Sequence, residues 1–290
     1  MNSTAVEKKN VLKKKITVGP RIKAVIYSIS PMILYLAVTI IFAVVLEVAF
    51  PDNDELYDTV FSITDIASWV IAILIINSDI KKQKGVSVGK AVGFKSFDPV
   101  LTVMILLFGY CGAEVIDSIT AYFLSGHMTV EPNRSLDGAI DVIHAVLIAP
   151  VAEEIVFRFF GIEYSKGHFN ISLIMIANAL YFTVLHGYNI QGFANVLVYG
   201  LASAYIYIKT GSLINLMIAH SLHNMFCCVD FGDTYYQVNG FNLSHPWWFA
   251  VNAVITAGVI VWYFVSFRKK YCKKNDTDFN VNNEIINVSD

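Results

Sequence analysis

The chain has 290 residues, of which 56% are hydrophobic and only 15% are charged, and its formal net charge is −2. Soluble domains carry about 25% charged residues. Because the apolar residues also fall into long runs, a soluble core would have to be larger than this chain can enclose. The composition therefore excludes an ordinary soluble domain and indicates a membrane protein.

Eight apolar runs have the length, or nearly the length, that a helix needs to cross a hydrocarbon layer about 30 Å thick. The sequence therefore predicts an all-α fold, a polytopic membrane helix bundle of about eight transmembrane helices. Within the sixth run, Gly200 and Ala204 form a small-xxx-small pair, which favours close helix packing. In chain order, the predicted spans are Val25–Phe50, Val60–Asn77, Val100–Leu124, Ala139–Gly161, Phe169–Leu185, Phe193–Ile208, Leu213–Phe231 and Trp247–Phe267.

The lysines and arginines predict the orientation of these spans. With the N-terminus inside, every basic residue except Arg134 falls on the inner side, whereas the first outer loop is acidic. This positive-inside pattern predicts a multi-pass integral membrane protein with both termini cytoplasmic. The lipid bilayer is thus one expected partner. The basic N-terminal tail has no motif typical of nucleic-acid binding, so no nucleic-acid partner is expected.

The fourth predicted span contains charged side chains, which are unfavourable in a hydrocarbon environment. Glu153, Glu154 and Arg158 lie in the apolar run HAVLIAPVAEEIVFRFFG. Intramembrane charges cost a few kcal/mol each and mark functional sites by default. Glu154 and Arg158 are four residues apart and can pair, whereas Glu153 points about 100° away and can face a cavity as a general base for water. Pro150 removes a backbone hydrogen bond and predicts a kink with room for water.

Later spans add further polar side chains. His186 directly follows the fifth predicted span, and His220 and Asn224 share one face of the seventh because they are four residues apart. An imidazole can relay a proton, bind a metal or stabilise an anion, and an asparagine amide can donate to an oxyanion. Taken singly, each is more often a polar contact between helices. Their convergence with the glutamates would give them a chemical role.

Other intramembrane polar residues leave a transporter open as an alternative. Glu114 and Asp117 are three residues apart in the third span, and in a transporter they would line a proton or cation path. Glu47 and His144 are further candidates. For Asp117, Glu47 and His144, an interhelical hydrogen bond or a buried protonated acid is the preferred interpretation. No inverted repeat of the kind that transporters use is evident in the sequence.

Three short motifs occur in order on successive apolar segments. They are E-E-x-x-x-R (Glu153, Glu154, Arg158), F-x-x-x-H (Phe182, His186) and H-x-x-x-N (His220, Asn224). The set resembles the CAAX-protease and bacteriocin-processing (CPBP, or Abi) family of intramembrane proteases. The resemblance covers about residues 139–231. One departure is the segment FRFFG, where the family usually has glycine directly after the arginine.

The resemblance implies an intramembrane endopeptidase that hydrolyses a peptide bond of a membrane-associated peptide or lipopeptide. It implies that Glu153 activates the attacking water, that Glu154 supports the site and that Arg158 pairs with Glu154. His186 would help to bind the water or a metal, and Phe182 would contact the substrate. His220 and Asn224 would stabilise the oxyanion. The resemblance leaves three biological roles open, namely CAAX-type processing, bacteriocin or signal-peptide maturation, and self-immunity.

The resemblance is compatible both with a metal cofactor and with a metal-free site. Family members are described both as metalloproteases and as metal-free enzymes. A divalent metal such as zinc would have Glu153, His186 and His220 as candidate ligands. The chain lacks the HExxH motif of zincins, and its four cysteines lack a CxxC spacing. A non-catalytic immunity or scaffold protein, in which the polar cluster serves packing alone, is the third alternative.

The resemblance also suggests a division of the chain. It comprises a cytoplasmic basic tail (1–24), N-terminal transmembrane helices (25–138), a CPBP-type catalytic membrane core (139–231), an outer loop with the last transmembrane helix (232–267) and a cytoplasmic polar tail (268–290). Helix rise places Glu153 and His220 about 12 and about 11 Å from the inner face, but His186 about 25 Å from it. We therefore predict that the fifth helix begins late, after a connector over Ile162–Asn170, so that His186 comes within about 10 Å of Glu153.

Overall fold

The part of the chain that the structure describes consists of helices joined by short connections. The computed structural model describes residues 18–50, 54–123, 139–186, 190–228 and 246–272, and no strand occurs in these ranges. This confirms the predicted all-α class. Counted in chain order, the α-helices are α1 (Val18–Ala49), α2 (Asp54–Lys84), α3 (Val88–Val92), α4 (Pro99–Phe123), α5 (Ala139–Ile143), α6 (Ala149–Glu153), α7 (Ile162–Ser165), α8 (Ile171–Leu185), α9 (Ile190–Thr210), α10 (Ile214–Cys228) and α11 (Pro246–Trp262).

Four helices in the described ranges are long and apolar enough to cross a membrane. They are Gly19–Ala49, Val60–Lys84, Pro99–Thr120 and Trp247–Cys272, and they correspond to the first, second, third and eighth predicted spans. The other predicted spans form shorter or interrupted helices, such as the 15-residue α8. An integral membrane protein is thus supported, whereas the predicted count of about eight spans is not confirmed.

The fourth predicted span is one continuous helix with two changes of winding. A first π segment, His144–Ile148, separates α5 from α6, and a second, Glu154–Gly161, separates α6 from α7. Hydrogen bonds in a π-helix reach five residues back rather than four, and such segments occur mostly at functional sites. We call residues 139–165 the broken helix. It contacts α1 and α2 on one side and α10 on the other.

The chain turns after α7 and then begins α8. The α7 helix ends at Ser165, and Asn170 caps α8 because its side chain accepts a hydrogen bond from Leu173 N at 2.8 Å. The α8 helix therefore begins at Ile171, two residues later than the predicted start at Phe169. The predicted connector over Ile162–Asn170 begins as the helical turn α7 and becomes irregular only after Ser165.

Close packing of α8 on α9 depends on Gly200. A Cβ built on Gly200 would lie 3.2 Å from Ala179 Cα and 3.3 Å from Ala179 Cβ. Ala204, one turn further along α9, is completely buried. The small-xxx-small pair in the sequence thus marks a real helix contact, in which a larger side chain would force the two backbones apart.

A polar contact joins the start of α4 to the end of the last helix, which continues past α11 as a π segment, Tyr263–Cys272. Asp98 Oδ1 accepts hydrogen bonds from the backbone N–H groups of Val100 and Leu101, and Asp98 Oδ2 accepts from Lys270 and Tyr271. Partial burial by itself raises the pKa of Asp98. The bonds from Lys270, Tyr271 and Leu101 outweigh burial and lower the pKa from 3.8 to about 2.

We expect Gly200→Leu to lower the melting temperature of the purified protein in detergent, because overpacking at the α8–α9 contact costs about 1–3 kcal/mol. Gly258→Leu is the matched control, since Gly258 on α11 is exposed and has no atom within 4 Å of its built Cβ. Circular dichroism during heating would measure both variants. Equal melting temperatures for the two would contradict the assigned contact.

We expect Asp98→Asn to lower the melting temperature at neutral pH. Asp98 has a lower pKa in the folded state than in the unfolded state, so its contribution is complete above about pH 4 and is lost as the pH falls through about 2. The difference between wild type and variant should therefore shrink between these two pH values in a thermal melt series. A difference that stays constant down to pH 2 would contradict the ionised contact.

Candidate active site

The two adjacent glutamates lie where α6 meets the second π segment, and they face different surroundings. The Glu154 side chain is fully buried, whereas the Glu153 side chain remains 19% exposed. Glu154 Oε2 lies 3.4 Å from Arg158 Nε, one turn further on. The predicted division is therefore found, with one carboxylate paired locally and the other partly accessible.

Arg158 is held from three sides in complete burial. Besides the contact with Glu154, its Nη1 donates a hydrogen bond to Asn178 Oδ1 at 3.1 Å, and its guanidinium carbon lies 4.3 Å from the centre of the Phe182 ring. A desolvated guanidinium over an aromatic face gains cation–π attraction in addition to its ion pair. Arg158 thus fixes Glu154 on the broken helix and connects it to α8.

Asn178 is a site residue that sequence reasoning did not single out. Its Nδ2 donates to the carbonyl of Phe157 at 2.6 Å, while its Oδ1 accepts from Arg158. A Cβ on Gly161 would lie 2.9 Å from Asn178 Nδ2, so only glycine leaves room for this amide. A sequence signal existed, because Asn178, Phe182 and His186 follow one another at intervals of four residues on a single face of α8.

Two histidines converge on the same oxygen of Glu153. His186 Nε2 lies 3.7 Å and His220 Nε2 lies 3.8 Å from Glu153 Oε2. His186 is therefore well inside the predicted 10 Å, although it directly follows the last residue of α8. Both separations exceed a direct hydrogen bond and leave room for a bridging water or a polar ligand atom.

The second nitrogen of each imidazole is fixed by an acceptor. His186 Nδ1 lies 2.7 Å from the carbonyl oxygen of Phe182, and His220 Nδ1 lies 2.9 Å from Glu154 Oε1. Since a carbonyl and a carboxylate only accept hydrogen bonds, each Nδ1 carries its hydrogen. Both rings therefore present Nε2 to Glu153, and Glu154 has Arg158 on one oxygen and His220 on the other.

Phe182 lies beneath this cluster rather than on an open surface. Its side chain is only 2% exposed, and its ring centre lies 4.2 Å from that of His186 and 6.3 Å from that of His220. Tyr199 on α9, which sequence reasoning did not single out, packs on the other side of His220 at 5.3 Å. These rings fix the imidazole planes. The predicted contact of Phe182 with substrate stays a prediction.

Asn224 reaches the broken helix at a carbonyl that Pro150 leaves without a donor. The N–H of Ala149 bonds to His144 O, five residues earlier. In that register, the carbonyl of Ala145 would receive the N–H of residue 150, but proline has none. Asn224 Nδ2 donates to Ala145 O at 2.9 Å instead. The first π segment ends two residues before Pro150 and provides the anchor for Asn224. The predicted kink with room for water stays a prediction.

The competing acidic residues of α4 have partners of their own. Asn195 Nδ2 lies 2.9 and 2.8 Å from the two carboxylate oxygens of Asp117, and Trp248 Nε1 donates to Glu114 at 3.4 Å. These contacts join α4 to α9 and to α11. They agree with the interpretation of Asp117 as a partner in an interhelical hydrogen bond.

The candidate metal ligands Glu153, His186 and His220 do come together, because the Nε2 atoms of both histidines lie within 3.8 Å of Glu153 Oε2. Across the described ranges of the chain, no group of three or more histidine, cysteine, aspartate or glutamate side chains is arranged to hold a metal ion. The separations of 3.7 and 3.8 Å leave room for a water or another small polar ligand between the groups. The three metal candidates therefore stay a prediction.

Comparison with known proteins supports the resemblance that the motifs indicate. Residues 135–226 match the model of a family described as Rce1-like, type II CAAX prenyl endopeptidase. The matched segment includes all seven motif positions. No curated protein and no solved structure matches the chain. The match and the three motifs inside it support the CPBP/CAAX protease family for the segment 135–226.

Proposed function

We propose that the protein is an intramembrane endopeptidase of the CAAX type, which hydrolyses a peptide bond of a membrane-associated peptide with a water that Glu153 activates. The observation that carries the proposal is the convergence of His186 Nε2 and His220 Nε2 on Glu153 Oε2. A carboxylate and two imidazoles around one small space can hold a water and move its proton.

The first step needs a general base, and Glu153 is the carboxylate of the pair that water can reach. Its side chain is 19% exposed, whereas Glu154 is sealed between Arg158 and His220. In the proposal, Glu153 takes a proton from the bound water while the oxygen attacks the carbonyl carbon of the substrate. The same proton then passes to the leaving nitrogen as the C–N bond breaks, which yields a carboxylate and an amine.

The negative charge that forms on the carbonyl oxygen needs donors. The two glutamates carry two negative charges and Arg158 carries one positive charge, so one imidazolium makes the buried group neutral. We assign that proton to His220, because its Nδ1 lies against the buried carboxylate of Glu154. Nε2–H of His220 and the amide of Asn224, one turn away on the same helix face, then serve as oxyanion donors.

The family description supports a substrate of the CAAX type. CAAX-type processing would present a lipid-modified peptide end to a site that lies among apolar helices. A bacteriocin or signal peptide would present an amphipathic segment without that modification. Parallel assays with a quenched fluorescent farnesylated CAAX peptide, its unmodified form and an amphipathic leader peptide would distinguish these two kinds of substrate.

We expect Glu153→Gln to lower the kcat of peptide cleavage by at least about a hundredfold, since general bases contribute about 10² to 10⁴ to the rate. Glu114→Gln is the matched control, because it neutralises another intramembrane glutamate that lies on α4 and outside the cluster. Purified protein in detergent and a fluorescent peptide would report both rates. Normal cleavage by Glu153→Gln would overturn the assigned base. Ion flux in liposomes that depends on Glu114 but not on Glu153 would favour the transporter.

We expect cleavage to continue at an unchanged rate in 1,10-phenanthroline, because a protein-bound water needs no metal to lose its proton to Glu153. The measurement is the initial rate with and without chelator, with a phenanthroline isomer that does not chelate as the control. Loss of activity that zinc restores would contradict the water-only mechanism and would assign Glu153, His186 and His220 as ligands.

A further inference from the structure

A second polar cluster joins three helices outside the catalytic site. Tyr35 Oη donates to Asp65 Oδ1 at 2.6 Å, with Thr39 Oγ1 at 3.5 Å from the same atom, and His144 Nε2 lies 2.9 Å from Asp65 Oδ2. We call these four residues the Asp65 cluster. It links α1, α2 and the first residue of the first π segment. The Asp65 side chain is only 9% exposed, so its charge needs these partners.

The Asp65 cluster and the active site act on the same short segment of backbone. His144 begins the first π segment and is bound by Asp65 on α2. The next residue, Ala145, offers its carbonyl to Asn224 on α10. The π segment therefore has contacts at two adjacent residues, one with α2 and one with α10. A shift of His144 would move the carbonyl that orients the Asn224 amide.

We propose that His144, held by Asp65, is a positioning residue for Asn224. The inference rests on the proposed function, in which Asn224 donates to the oxyanion. In that role His144 touches no substrate. It fixes the Ala145 carbonyl and thereby the direction of the second N–H of Asn224. Because oxyanion donors act in the transition state, displacement of Asn224 lowers kcat and leaves KM nearly unchanged.

A neighbouring contact offers a matched control. Ser62 Oγ donates to Asp141 Oδ1 at 2.7 Å, and this pair joins α2 to α5 just as Asp65 and His144 join α2 to the π segment. Ser62 precedes Asp65 by three residues, and Asp141 likewise precedes His144 by three residues. The two pairs therefore lie side by side between the same helices, but only the second pair touches the π segment.

The kinetic test compares His144→Ala with Asp141→Ala on the peptide that wild type cleaves fastest. We expect His144→Ala to lower kcat by about tenfold, less than the roughly 10²-fold loss of a deleted oxyanion donor. We expect KM within about twofold of wild type, and His144→Gln, which can keep a polar contact with Asp65, to recover most of kcat. Asp141→Ala should behave as wild type. Equal losses of kcat in the two alanine variants would overturn the inference.

A second measurement does not depend on proteolysis. Selective ¹⁵N labelling of asparagine gives the side-chain amide signal of Asn224, which Asn224→Ala assigns. We expect His144→Ala to shift or broaden this signal and Asp141→Ala to leave it in place. An unchanged signal in His144→Ala would overturn the positioning role. A shift confined to His144→Ala, in a protein that cleaves none of the peptides, would support the positioning role and refute the proposed protease.

Discussion

The site depends on one buried carboxylate, that of Glu154. With no exposure to solvent, Glu154 has Arg158 against one oxygen and His220 against the other. Removal of either partner would leave an uncompensated charge in the bundle, which costs several kcal/mol. The pairing therefore holds α10 against the broken helix and, through Phe182 and Asn178 beneath Arg158, holds α8 there as well. Glu153, its neighbour, is left accessible because Glu154 takes the structural contacts.

The two π segments of the broken helix position these side chains. An uninterrupted α-helix would pair Ala145 O within the backbone, and Asn224 would have no acceptor there. Pro150 removes the donor, and the amide from α10 replaces it. The second π segment similarly exposes the Phe157 carbonyl to Asn178, beside the one position, Gly161, that lacks a side chain. Each departure from regular winding is thus matched by an asparagine from a neighbouring helix.

Periodicity and charge predicted much of this arrangement. The i,i+4 spacing predicted the Glu154–Arg158 pair. Gly200 and Ala204 predicted a close helix contact, which the structure places between α9 and α8. The approach of His186 to Glu153 followed only after a late start of α8 was assumed, because helix rise alone places the two at different depths. Asn178, Tyr199 and the other three members of the Asp65 cluster were missed, whereas His144 was named as a candidate for an interhelical contact. Their partners are far away in sequence, and a polar residue in an apolar run does not reveal which helix it faces. The number of spans also depends on where helices are interrupted, which hydropathy does not record.

The balance of charge around Glu154 has a consequence for how substrate arrives. With the proton that we propose on one imidazole, two carboxylates, one guanidinium and one imidazolium sum to zero, so the pocket would project little electric field and give no long-range attraction to a charged peptide. In the proposed function, encounter would then depend on lateral diffusion within the lipid plane, where confinement to two dimensions raises the effective concentration of an anchored peptide. The rate should scale with the surface density of peptide per lipid, and ionic strength should have little influence on it.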